Sequence, residues 1–117
     1  VYEAAGQLVE TWGAEAMGSG SYSNVGAVVG ATHKEEGTRL RSQMPHTFFL
    51  VPGYGAQGGT AEDIAGFFDK NGVGAVVNSS RGITAAYIKD ASFSDREYAK
   101  AARAAAIRMR DDLRRVL

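Results

Sequence analysis

The chain has 117 residues, enough for one domain of modest size. Thirteen Lys and Arg balance thirteen Asp and Glu, which removes the electrostatic case for a nucleic-acid or membrane-surface partner. With no cysteine, neither a disulfide nor a thiolate metal site can form, a composition that fits a reducing cytoplasm, and no apolar run approaches the length of a bilayer span. Glycine is the unusual count, 15 of 117, nearly twice the common share of about 7%.

Val1, Ala5, Leu8 and Trp12 recur at helical spacing. They predict an amphipathic helix over residues 1–17, with Glu3, Gln7, Glu10 and Glu15 off its apolar stripe and Trp12 as a core anchor. A helical pattern that opens at the first residue, with no initiator Met, leads us to expect a piece of a longer polypeptide. A loop of turn residues (18–24, GSGSYSN) precedes a β-branched strand at 25–32, VGAVVGAT. Thr32 with Glu35 fits a capping box for a helix to about Gln43, with Leu40 and Met44 inward and Pro45 as its stop. Phe48, Phe49, Leu50 and Val51 form an apolar run that suits a strand buried on both faces. Pro52 ends it, and the glycine-rich loop GYGAQGG follows.

Thr60 with Asp63 repeats the cap pattern for a helix to about Lys70 that carries Ile64, Phe67 and Phe68, and Asn71-Gly72 marks its end. Residues 73–78, VGAVVN, predict a third strand, with Ser79–Gly82 as its outgoing loop and a short turn or helix at 83–88. Ser94 with Glu97 is a third capping box. It opens a long final helix with Tyr98, Ala102, Ala105, Met109, Leu113 and Val116 along one stripe.

The order is one helix, then strand–helix three times, with strand starts roughly 25 residues apart and VGAVVG repeated as VGAVVN. Alternating β and α predicts a parallel α/β sheet with right-handed crossovers. Three strands do not close a barrel. A small three-layer sandwich and the last three βα units of a (β/α)8 barrel both fit this pattern.

In a barrel, ligands bind at the C-terminal ends of strands, and phosphate is often held by the last two loops. Here those loops carry Gln57 and Arg81. Arginine is always charged and forks onto two phosphate oxygens, and the Gln57 amide donates without adding charge. Backbone N–H groups around Gly58, Gly59, Ser80 and Arg81 are candidates for the remaining donors. His33 and His46 lack metal-ligand spacing and read as surface residues. Ser79-Ser80 lacks a nucleophile-elbow context. Arg108, Arg110, Arg114 and Arg115 alternate with Asp111 and Asp112, the pattern of a solvated helix face. Lys70 and Lys89 stand alone, so no loop offers a Lys–Asp constellation for acid–base chemistry. The chain can hold a ligand, but it shows no group to transform one.

VGAVVGAT, FLVPGYGAQGG and NSSRGI together resemble the final three strands of orotidine 5'-monophosphate decarboxylase, in its longer bacterial branch, from Val25 to Ile83 with the first helix also in place. The resemblance implies that residues 1–117 are the C-terminal part of a single (β/α)8 barrel domain. Such an enzyme converts orotidine 5'-monophosphate to uridine 5'-monophosphate and CO2 without metal or organic cofactor, as a cytoplasmic homodimer. Carried over by motif, Gln57 and its neighbour Gly58 on the loop, together with Ser80 and Arg81, would bind the substrate phosphate. Pro52 would line the pyrimidine pocket, and Tyr54 and Ala56 match no firm role. Shorter family members have glycine where Ser80 stands. The family's Asp-x-Lys-x-x-Asp catalytic motif is absent from the chain, so the resemblance implies no catalytic residue here and an inactive chain without the N-terminal portion of the barrel. Another phosphate-binding barrel enzyme, such as a sugar-phosphate isomerase or aldolase, and a non-catalytic half-barrel module are the competing readings.

Overall fold

Three short strands lie side by side in the computed structural model, which describes residues 1–55 and 57–117. They are β1 (Gly26–Val28), β2 (Phe48–Val51) and β3 (Ala75–Val77), all parallel and in the order β1-β2-β3. The expected α/β class and parallel sheet are therefore present. The sequence repeat falls in register. Ala27 and Ala75 both sit opposite Phe49, and Val28 and Val76 both sit opposite Leu50. The helices are α1 (Tyr2–Gly13), α2 (Lys34–Gln43), α3 (Ala61–Ile64), α4 (Ser80–Thr84), α5 (Ala86–Lys89) and α6 (Tyr98–Val116). Among the described residues, no helix is long and apolar enough to cross a membrane.

The core lies between the sheet and the helices. Phe49 and Val51 are wholly buried and cluster with Met44, Ile64 and Phe67, while Leu40, Phe68 and Leu113 pack at the edge of that cluster. Among the described residues no layer covers the opposite side of the sheet, so Phe48 is 39% and Leu50 42% exposed, beside the exposed Val28 and Val76. The expectation of a strand buried on both faces is corrected: only alternate residues of β2 are covered, because α1, α2, α3 and α6 pack against one face.

The inward face of α1 is also different from the expected one. Val1, Leu8 and Trp12 are exposed, and Trp12 is not a core anchor. Gly6 and Gly13 face inward, with Val9 and Glu10 half-buried beside them. A Cβ at Gly6 would lie 2.8 Å from the Met44 sulfur, and one at Gly13 would lie 2.5 Å from the Ser23 hydroxyl. The helix turns the face that lets its backbone come close, and close approach outweighs the apolar stripe.

Two of the three caps form. Asp63 and Thr60 bond reciprocally at the start of α3, with the Asp63 N–H donating to Thr60 Oγ1 (3.2 Å) and the Thr60 N–H to the Asp63 carboxylate (3.0 Å). Glu97 accepts from the Ser94 N–H one turn before α6. The Thr32–Glu35 box does not form: α2 starts at Lys34, with His33 at its N-cap and no side-chain cap. The helix after Thr60 also stops well before Lys70. Residues Ala65–Phe67 tighten into a 3-10 turn, and the Asp69 carboxylate then takes the N–H groups of Asn71 (2.7 Å) and Val73 (3.1 Å), a local alternative to continuing the helix. On α6, Ala101 is wholly buried and Tyr98 is exposed, so the stripe begins one turn later than expected.

Two polar clusters close the N-terminal ends of the strands. In one, the buried Arg41 reaches from α2 across the ring of Phe49 (4.2 Å to its centroid). It donates to the carbonyls of Met44, Thr47 (2.9 Å) and Gly74 (3.1 Å). Beside it the Tyr22 hydroxyl donates to Asp69 (2.7 Å), and burial followed by that contact pushes the phenol up to about 12.

In the other cluster, Glu10 accepts from the Thr47 hydroxyl (2.6 Å), the His46 N–H (3.0 Å) and His46 Nδ1 (2.6 Å). Burial pushes the Glu10 carboxyl up, but the Thr47 hydroxyl and the two His46 donors outweigh it and hold the group below the ordinary 4.5. A carboxyl depressed by folding stabilises the fold above its unfolded pKa, and that contribution disappears as pH falls through the folded value. Thermal unfolding followed from pH 7 to pH 3 should therefore show a decline beginning near 4.5. Glu10→Gln should flatten that decline and lower the neutral-pH midpoint, whereas an unchanged acid limb would show that other carboxylates carry it.

Candidate functional site

At the other end of the sheet the chain leaves β2 through Pro52 and β3 through Asn78. The Asn78 N–H donates to the Val51 carbonyl (3.2 Å), which extends the strand pairing and brings the two outgoing segments side by side. Between them lies a cleft of about 80 Å³, lined by Pro52, Gly53, Tyr54, Gln57, Asn78, Ser79, Ser80 and Arg81. Four of the five site residues singled out in the sequence (Pro52, Gln57, Ser80 and Arg81) thus meet in one place. The volume is far below the roughly 300–1,000 Å³ of a pocket for a whole small molecule, so the cleft has room for one compact group of a ligand.

Gly53, at φ +98°, makes the turn out of β2 in a region that side-chain-bearing residues rarely adopt. A Cβ there would stand 3.2 Å from the Gln57 side-chain oxygen, so the amide folds back over Gly53. The remainder of the loop bonds to itself. The Gly55 N–H donates to Gly59 O (2.8 Å), the Gly58 N–H to Gly55 O (2.9 Å) and the Gly59 N–H to Gly53 O (3.2 Å). Gly58 lies outside the cleft lining, and in this arrangement its N–H and that of Gly59 are engaged within the loop. Ala56 lies outside the described residues.

The segment after β3 was expected as a loop through Gly82. Instead α4 begins at Ser80, placing Ser80 and Arg81 in the first helical turn. The first N–H groups of a helix have no partner within it, so those of Ser80 and Arg81 stand at the cleft without an intrahelical acceptor. Arg81 is exposed, and among the described residues its guanidinium forms no ion pair. It is the one charged side chain lining the cleft. An anion is the matching occupant. Among the described residues no group of acidic, His or Cys side chains is placed to hold a metal ion.

Tyr54 carries a contact with no signal in the local sequence pattern. Its hydroxyl donates to Asp112 on α6 (2.6 Å), and Asp112 also accepts from Arg115 (2.9 Å), which reaches Glu62 on α3. Burial, then the bond to Asp112, pushes the Tyr54 phenol up to about 12. The Tyr54 hydroxyl and then Arg115 hold the Asp112 carboxyl below its ordinary range. The alternating charges near the chain end read as a solvated face, yet Asp112 and Arg115 tie α6 to the loop and to α3. No spacing rule reaches a contact 58 residues away in sequence.

No family model matches the chain. Relatives with this arrangement are nonetheless clear. The orotidine 5'-phosphate decarboxylase of Clostridium acetobutylicum is 47% identical over 117 residues, covering all of this chain and 40% of the relative. That of Clostridium tetani is 50% identical over 113 residues (97% of this chain, 38% of the relative), and that of Rhodopirellula baltica is 42% identical. The chain is a homologue of part of orotidine 5'-phosphate decarboxylase. The solved structure of the Leishmania donovani OMP decarboxylase superposes with a TM-score of 0.71 at 29% identity, over 98% of this chain and 38% of that one. The UMP synthase of the same organism superposes at 0.63 with 33% identity. The three parallel strands are therefore a partial OMP decarboxylase barrel, and the three-layer sandwich is set aside. The chain spans about 40% of the length of the curated decarboxylases it matches.

Proposed function

We propose that this chain is the C-terminal, phosphate-holding part of a (β/α)8 orotidine 5'-monophosphate decarboxylase. In that reading Arg81 forks onto the phosphate, the Gln57 amide and the N–H groups of Ser80 and Arg81 complete its contacts, and Gly58 shapes the loop that carries Gln57. Pro52 lines the start of the pyrimidine pocket. The observation that carries the reading is the cleft itself: two successive strand-end segments, 24 residues apart at Gln57 and Arg81, converge on a phosphate-sized space whose only charged side chain is Arg81. The homology to decarboxylases supplies the substrate.

The reaction replaces the C6 carboxylate of the pyrimidine by a proton and releases CO2. A lysine and aspartates on the earlier strands would carry that step, and no such set converges on this cleft. Phosphate contact is remote from the bond that breaks. Its binding energy acts on rate by ordering the site around the substrate, so that the reacting end is held among preorganised charges with water excluded. The complete protein is proposed to act as a cytoplasmic homodimer.

The test is decarboxylation of orotidine 5'-monophosphate, followed by the loss of the orotate chromophore. The complete barrel should turn the substrate over, and the 117-residue chain alone should not. Turnover by the isolated chain would sink the division of labour, and an inert complete barrel would sink the assigned reaction.

A further inference from the structure

Among the described residues, the loop after β2 is bonded to the rest of the molecule by one side-chain hydrogen bond, with the buried Gly59 packed closely against Ala31 at its base. Its backbone bonds beyond Pro52 are internal among the described residues, between Gly53, Gly55, Gly58 and Gly59. Its side-chain tie to the rest of the molecule is the Tyr54 hydroxyl on Asp112 (2.6 Å). Tyr54 stands between two glycines of positive φ, Gly53 (+98°) and Gly55 (+74°), and packs against the core cluster while its hydroxyl reaches Asp112. Tyr54 also lines two neighbouring spaces, the phosphate-sized cleft with Gln57 and Arg81 and a cavity of about 360 Å³ with Ala105 and Met109 of α6. Asp112 is held in turn by Arg115, and Arg115 by Glu62.

We propose that Tyr54 is a positioning residue for phosphate binding. Strapped to α6 through Asp112, it fixes the loop so that the Gln57 amide faces the Arg81 guanidinium across the cleft. This inference rests on the phosphate reading of that cleft. The Arg115 pairs are largely exposed, and exposed ion pairs contribute little to stability. The strap is therefore read at the site, as a loss in kinetics that appears with the phosphate and not without it, which a loss of stability alone would not separate.

The experiment compares kcat/KM for orotidine 5'-monophosphate with that for the phosphate-free nucleoside orotidine, in the complete barrel protein that contains this chain. Tyr54→Phe keeps the ring and removes the hydroxyl. It should lower kcat/KM roughly tenfold for the phosphorylated substrate, the scale of one hydrogen bond to a charged group, and leave orotidine unchanged. Asp112→Ala should reproduce that loss. Asp112→Asn retains an oxygen to accept from the phenol and should restore most of the activity. The Tyr54→Phe, Asp112→Ala double variant should be no worse than either single one.

Three results would overturn the strap: no loss in Tyr54→Phe, an equal loss on both substrates, or a selective loss in Tyr54→Phe with Asp112→Ala at full activity. Arg81→Ala separates this from the parent reading. If Arg81→Ala discriminates between the two substrates and Tyr54→Phe does not, the strap alone fails. If Arg81→Ala does not discriminate, the phosphate assignment fails and takes the strap with it.

Discussion

Arg81→Ala in the complete barrel is expected to lower kcat/KM for orotidine 5'-monophosphate by about 2–4 kcal/mol, roughly thirtyfold to a thousandfold. The magnitude follows from the cleft. Its lining has no second charged side chain, so a phosphate seated there loses its only counter-charge from this chain along with a two-pronged donor. Part of the loss should appear in kcat, because contact with a group remote from the reacting carbon contributes to ordering the site as well as to affinity. Gln57→Ala removes a neutral donor and should cost less, about 1–3 kcal/mol. Arg81→Lys should recover only part of the loss, since a lysine offers a point charge where the guanidinium forks. Steady-state kinetics with orotidine as the companion substrate decide the matter, because equal losses with and without the phosphate would remove Arg81 from the phosphate site.

Arg41→Ala is expected to destabilise the fold by about 2–4 kcal/mol, measured as a lower urea midpoint at unchanged m value. Arg41 is only 8% exposed, and its guanidinium serves the carbonyls of Met44, Thr47 and Gly74 while standing over the Phe49 ring, 4.2 Å from its centroid. Deleting it takes the charged donor from all three carbonyls, leaves Met44 O and Gly74 O with only the N–H groups of Thr47 (3.2 Å) and Phe49 (2.9 Å), and opens space against a wholly buried ring. Burial pulls the Arg41 pKa down, and the nearby Tyr22, Glu10 and Asp69 oppose that. Arg41→Lys should recover little, because an ammonium cannot span three carbonyls in the plane of the ring. A loss below about 1 kcal/mol would show that water replaces the guanidinium at those carbonyls. The two arginines divide by position: Arg41 holds the N-terminal ends of the strands together, and Arg81 lines the proposed phosphate cleft at their C-terminal ends. That is the separation of stability from function expected of a barrel.

The β/α alternation, the Thr60–Asp63 cap and the three strands were legible from local patterns, since apolar runs, breakers and caps act over a few residues. Pro52, Gln57, Ser80 and Arg81 were legible as a group because parallel strands bring successive C-terminal ends to one edge, whatever the details of packing. The α1 stripe was misleading for a physical reason: Leu8 and Trp12 are more apolar than Gly6 and Gly13, yet helix approach to Met44 and Ser23 is limited by volume. The early end of the helix after Thr60 was hidden in the same way. Asp69 reads as an ordinary helix residue until its carboxylate is seen to take the N–H groups of Asn71 and Val73 and the Tyr22 hydroxyl.

By itself the sequence determined the class of fold, the order of its units and which two strand ends could hold an anion, because strand period, capping and glycine-rich turns are local properties of the chain. Only the tertiary structure decided which faces are covered, that Ser80 and Arg81 open a helix, that Gly58 turns its N–H inward to Gly55, and that Tyr54 reaches Asp112. Each of these depends on distances between residues far apart in the chain, set by how closely the helices settle on one side of the sheet.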